Sequence, residues 1–159
     1  MNDTLRENEA LNDTPRALVG PRGRYVAWTD WRKRDSAALK AHQQYDTMLA
    51  GLGEANLRVD PHGERPVSTF APAACTLSRA VLVAFQDASR GQNDVWIARV
   101  SGGGRRGRAR RVDDAGRRGG NAWRPQLACS RGRVLAAWED ERDGPPQVYA
   151  ARARAGRIR

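Results

Sequence analysis

This 159-residue chain is poor in several residue types that chemistry usually needs. Its two histidines, His42 and His62, have no cysteine or histidine at metal-ligand spacing, so no zinc set is read and no metal site is expected. Its two cysteines, Cys75 and Cys129, are too few for a disulfide framework. No apolar run reaches the roughly 18 residues that a membrane-spanning helix requires. No Gly-x-x-x-x-Gly-Lys loop is present, and Gly102-Gly103-Gly104 reads as a hairpin rather than the start of a helix, so neither a phosphate cradle nor any cofactor is expected. Residues Met1 to Glu7 carry neither a basic region nor an apolar one. No secretory signal is therefore read, and the chain as given is expected to be cytoplasmic, although a longer parent protein could be secreted.

Lysine is scarce as well. Only Lys33 and Lys40 occur, so 26 of the 28 basic residues are arginine, against 18 acidic residues and a net charge of +10. A strong positive balance raises the question of a polyanionic partner. The arginines are spread along the chain apart from the stretches 105–111 and 117–118. That distribution fits a solvated surface set by composition, and nucleic acid is not the expected partner. With 40% hydrophobic residues, the chain has enough apolar material for a folded core.

What the chain does have is an internal repeat. The segments Arg24 to Asp30, Val81 to Asp87 and Val134 to Asp140 are short apolar runs ending in aromatic-x-Asp, namely Trp28-Thr-Asp30, Phe85-Gln-Asp87 and Trp138-Glu-Asp140. Pro15, Pro72 and Pro125 each precede that aromatic by 13 residues. The second and third copies stay in register at an offset of 53 through Val95-Trp96 and Val148-Tyr149, and Arg58-Val59-Asp60 matches Arg111-Val112-Asp113 at the same offset. Tyr45 reads as the first copy's counterpart of Trp96, which makes its connection six residues longer.

Each unit reads as four strands: A opened by the proline, B ending in aromatic-x-Asp, C around the second aromatic, and D at Arg-Val-Asp. Four strands in about 50 residues predict β-propeller blades, with a β-sandwich as the less economical all-β alternative. The expected architecture is all-β: three four-stranded antiparallel blades, half of a six-bladed propeller. Residues 1–14 form an N-terminal segment suited to the outer strand of a neighbouring blade. Blade 1 covers 15–71 with a loop insertion at 32–44, blade 2 covers 72–124, and an incomplete blade 3 covers 125–159. Helix formers behind Asp35 and Ser36 predict a short helical turn in the insertion. In the repeat, Cys75 and Cys129 fall one position out of phase. They are expected to point to opposite sheet faces and to remain two buried free thiols.

Trp138-Glu-Asp140-Glu-Arg142-Asp143-Gly144 followed by Val148-Tyr149-Ala150-Ala151-Arg152 resembles the repeat of the sialidase-like BNR/Asp-box propeller family. Phe85 to Gly91 with Asp94 to Arg99 is a second copy, and Trp28-Thr-Asp30-Trp-Arg32 a partial third. The stretch Ser101 to Gly107 keeps the serine and glycines of an Asp box but not its aspartate or aromatic. The resemblance implies a sugar-binding or glycosidase-like propeller. An exo-sialidase would need three arginines around a carboxylate, a Tyr–Glu nucleophile pair and an aspartate acid/base. The family's Phe/Tyr-Arg-Ile-Pro signature is absent, and Trp123-Arg124-Pro125 is only superficially like it.

No catalytic residue is therefore assigned. The expected function is a non-catalytic propeller module, or a fragment of one, binding a carbohydrate or protein ligand. The alternative is a hydrolase active only in a complete ring. Trp31, Arg32 and Arg124 are the candidate ligand-binding residues, Trp31 as a sugar-stacking platform. Pro15, Trp28, Asp30, Pro72, Phe85, Asp87, Pro125, Trp138 and Asp140 are read as structural repeat positions, each aspartate accepting backbone N–H groups in its own B–C turn. An open stack of blades exposes a flat face at each end, so pairing into a dimer or membership of a longer propeller is expected.

Overall fold

The computed structural model describes residues 10–20, 23–32, 45–51, 55–61, 68–113 and 120–154, with only the backbone described for 10–13, 31 and 32. The described residues form eleven strands and no helix. The first sheet comprises β1 (Ala10–Gly20), β2 (Gly23–Arg32), β3 (Tyr45–Gly51) and β4 (Leu57–Arg58). The second comprises β5 (Thr69–Leu77), β6 (Ala80–Asp87), β7 (Asp94–Ser101) and β8 (Arg110–Arg111). The third comprises β9 (Ala122–Ser130), β10 (Arg133–Asp140) and β11 (Gln147–Arg154). Every sheet is an antiparallel meander in chain order. Arg32, where the expected insertion 32–44 begins, is the last residue of β2; the helical turn expected at 35–44 lies outside the described residues, as do 155–159, where a fourth strand of the third sheet would fall.

The 13-residue proline spacing has a direct structural cause. In each sheet the first strand bulges against the second, so that Thr14-Pro15, Ala71-Pro72 and Arg124-Pro125 oppose the single residues Trp28, Phe85 and Trp138. The residue before each proline takes a left-handed φ, 51° at Thr14, 51° at Ala71 and 52° at Arg124. The prolines therefore do not open their strands as the sequence suggested. They sit within β1, β5 and β9 at a bulge, the other position where a missing ladder N–H is tolerated. The strand starting at Ala10 also takes up the end of the 1–14 segment; residues 1–9 lie outside the described residues.

A second correction concerns strand C. The ladder pairs Phe85 with Trp96 and Trp138 with Tyr149, but Trp28 with Met48. Met48, not Tyr45, is the first sheet's counterpart of Trp96; Tyr45 lies opposite Trp31. Aromatic identity misled the alignment because Met fills the same apolar position without an aromatic signal.

The sheets pack face on face. Ala27, Leu49 and Val59 of the first meet Val81, Val83, Phe85, Ala98 and Val100 of the second. The second sheet's other face, with Leu82, Ala84, Val95 and Ile97, meets Val134, Ala136 and Trp138 of the third. Period-2 alternation thus sends odd and even positions of β6 into two different cores, and all eight of its residues are buried. On the far side of the first sheet, Trp28, Met48 and Ala50 form a third buried cluster.

Cys75 and Cys129 form a disulfide with Cα atoms 5.6 Å apart, contrary to the expectation of free thiols. The one-position phase difference is what brings the two cysteines together. Equivalent strands of successive stacked sheets look at one another through opposite faces. A residue on the forward face of one and a residue on the rear face of the next are therefore the pair that can meet.

Candidate functional site

The strands have two chemically different ends. One end gathers the β6–β7 and β10–β11 turns with the end of β2 and the start of β3, and it carries every carboxylate whose side chain is described. Asp30, Asp87 and Asp140 are fully buried there. Asp87 accepts the Ser89 N–H and Asp140 accepts the Arg142 N–H, each at 2.8 Å. Asp140 also accepts from the Trp138 indole at 3.0 Å and is ion-paired with Arg142. Burial pushes the Asp140 carboxyl up, but the hydrogen bonds from Arg142 and Trp138 outweigh it, and its pKa falls below the ordinary value. The Arg142 guanidinium lies 4.5 Å from the centre of the Tyr149 ring, and the Tyr149 hydroxyl donates to Asp143, which raises the pKa of the phenol.

A second repeated cluster was missed in the sequence. Arg58 bridges Asp46, at 2.7 Å, and Asp60, at 2.9 Å. Arg111 bridges Asp94, at 3.0 Å, and Asp113 in the same way. Asp60 and Asp113 also accept the N–H groups of Thr47 and Val95. The strands β4 and β8 make only two ladder pairs each. These Asp–Arg–Asp clamps fasten the short outer strand to its neighbour. Burial pushes the Asp113 carboxyl up, and the Arg111 hydrogen bond and charge only partly offset it. The signal was present as Arg-Val-Asp at the 53-residue offset, but the partner aspartates Asp46 and Asp94 become visible only in the ladder.

The same end holds an open depression of about 390 Å³ lined by Gln86, Trp123, Arg124, Glu139 and Pro146. Trp123 and Glu139 are cross-strand partners, so their side chains share a face. The Trp123 indole donates to Glu139 at 2.8 Å, and Arg124 pairs with both Glu139 oxygens at 3.2 Å. The Trp123 and Arg124 hydrogen bonds hold the Glu139 pKa below its ordinary value, so it is a carboxylate at neutral pH. The bulge re-aims residue 124, whose N–H is taken up by the Gln86 side-chain oxygen at 3.0 Å. Gly120 makes the nearby junction possible: a Cβ there would lie 2.9 Å from the Arg142 backbone.

Of the three candidate ligand residues, Arg124 lies in this depression. Trp31 and Arg32 end β2 in the first sheet, and Arg124 lies in β9 of the third. The Trp31 and Arg32 side chains lie outside the described residues. Trp123, next to Arg124 in the chain, and Glu139 join it instead, and only the strand register could have revealed Glu139. Among the described residues no group of three His, Cys, Asp or Glu is placed to hold a metal ion. Nor is any helix there long and apolar enough to cross a membrane. No protein-family model matches the chain, and no curated protein matches its sequence.

Proposed function

We propose that the three sheets are successive blades of a sialidase-like propeller, and that the chain is a non-catalytic unit binding a carbohydrate in the Trp123–Arg124–Glu139 depression. The blade reading is supported by the consecutive meanders, by first strands lying side by side, and by a buried aspartate at one place in every sheet. The observation that carries the binding reading is the chemistry of the depression. It joins a half-buried indole with a carboxylate and a guanidinium already oriented by each other, which suits a sugar ring's apolar face and its hydroxyl groups.

The glycosidase alternative needs two carboxyl groups flanking the bond to be cut, one of them protonated. The depression is lined by one, Glu139, and its hydrogen bonds keep it ionised. The open face of the third sheet, where Leu135 and Val148 are exposed, supports the expectation of a further blade or a second chain. The disulfide favours an oxidising working compartment over the cytoplasm.

The test is a titration with a panel of neutral and acidic oligosaccharides, read by tryptophan fluorescence. Binding that Trp123→Ala abolishes and Trp31→Ala leaves intact is expected. Binding lost only in Trp31→Ala, or none across the panel, would refute the depression as the site.

A further inference from the structure

The opposite end of the strands, formed by the paired ends of β1 and β2, the β5–β6 and β9–β10 turns and the β7–β8 connection, has the reverse character. Arg24, Arg79, Arg105, Arg131, Arg133 and Arg154 are exposed there, and none is ion-paired among the described residues. No described carboxylate shares this end. The two ends differ in their carboxylates: at the other end Arg58, Arg111 and Arg142 each lie in an aspartate cluster and Arg124 pairs with Glu139, and of the arginines in its turns Arg90 is exposed.

Two details of the third sheet at this end are unfavourable for folding. Arg131 and Gly132 form a tight turn with φ of 46° and 72°, a place that favours asparagine rather than a long side chain. Arg133 lies directly opposite Arg154 in the ladder, and like charges so placed repel across the sheet.

We infer that this arginine end is a second binding site, for an anionic polysaccharide carrying sulfate or uronate groups. Guanidinium groups pair with such oxyanions through two parallel hydrogen bonds. A flexible anionic chain laid across these turns and strand ends would relieve the Arg133–Arg154 repulsion and release counterions, as on any polyelectrolyte. The Cys75–Cys129 disulfide decides between polyanions: it belongs to an oxidising compartment, where acidic glycans rather than nucleic acids are the usual polyanions. The half-buried Tyr25 is the only aromatic side chain described near these turns, and it packs into the core between the first two sheets, so no platform for stacked bases is offered. The inference is independent of the depression.

The experiment measures fluorescence anisotropy of a labelled heparin octasaccharide with the intact oxidised chain, from about 50 to 200 mM salt. The Arg79→Ser/Arg133→Ser double variant should weaken binding at least tenfold and reduce the salt slope by about 2, since each guanidinium–oxyanion pair removed takes away ~0.9. The Arg16→Ser/Arg90→Ser double variant removes the same charge elsewhere and should change affinity less than threefold. Arg131→Asn should bind more weakly yet unfold at higher urea, which separates lost binding from lost folding. Equal losses in the two double variants would overturn the site. Failure to bind the octasaccharide, or tighter binding to a 20-base-pair DNA duplex at the same charge concentration, would overturn the glycan.

Discussion

The second and third sheets are near copies in sequence and opposites in environment. At the 53-residue offset, Leu82 corresponds to Leu135 and Val95 to Val148. Leu82 and Val95 have no exposed surface, whereas Leu135 is 50% and Val148 78% exposed. The reason is position in the stack: the second sheet is covered on both faces, the third on one. β6 is buried throughout, whereas β10 alternates between buried and exposed. Substitution has followed exposure in part, since Arg133 replaces Ala80 and Ala150 replaces Ile97. The energetic weight of a repeat position therefore depends on the neighbour it meets as much as on the residue itself.

The largest effects should fall where the two sheets agree. Phe85 and Trp138 occupy the same rear-face position and are both buried. Phe85→Ala and Trp138→Ala should each cost about 3–5 kcal/mol in urea denaturation, and a small loss at Trp138 alone would mean that the third sheet is loosely docked. Next comes the link between the sheets. The disulfide closes a sequence separation of 54 residues, so replacing Cys75 and Cys129 with alanine should cost about 2–5 kcal/mol. No change in the urea midpoint would show that the two sheets dock without it.

A smaller contrast lies in pH. Asp140, in the third sheet, has its pKa lowered, so the unfolded chain binds more protons at this site and its contribution to stability is lost as pH falls through the folded-state value. Asp113, at the end of the second sheet, has its pKa raised, so the folded chain binds more protons and stability falls as pH rises from about 3.8 through the folded-state value. Urea midpoints measured against pH should therefore flatten on the acid side in Asp140→Asn. In Asp113→Asn they should lose the decline above that pH. Identical profiles for the two variants would contradict the opposite shifts.

Much of this fold was legible in the sequence because proline, aromatic and aspartate recur together, and the bulge ladder shows why they must: Pro15, Pro72 and Pro125 lie against Trp28, Phe85 and Trp138. What escaped were relations between residues of unlike type. Met48 stands where Trp96 does, Cys129 reaches Cys75 only because stacked sheets oppose unlike faces, and Trp123 meets Glu139 through the register of two strands. Of the candidate site, the cationic member Arg124 was legible, Trp123 beside it was quoted for its likeness to a family signature and not as a contact, and Glu139 was hidden in the ladder. The gathering of the described carboxylates at one strand end was invisible for a similar reason: they are scattered along the chain, and only the meander brings them together.

The most direct measurement is urea denaturation of Leu82→Ala beside Leu135→Ala. A loss of about 2–5 kcal/mol at Leu82 is expected from the cavity left between two sheets. At Leu135 the change should stay within about 0.5 kcal/mol, as for a surface position, when the chain is diluted to a monomer. In that monomer, equal large losses would mean that the third sheet's face is covered within the chain, and equal small ones that the second sheet is not enclosed; either result would contradict the stack.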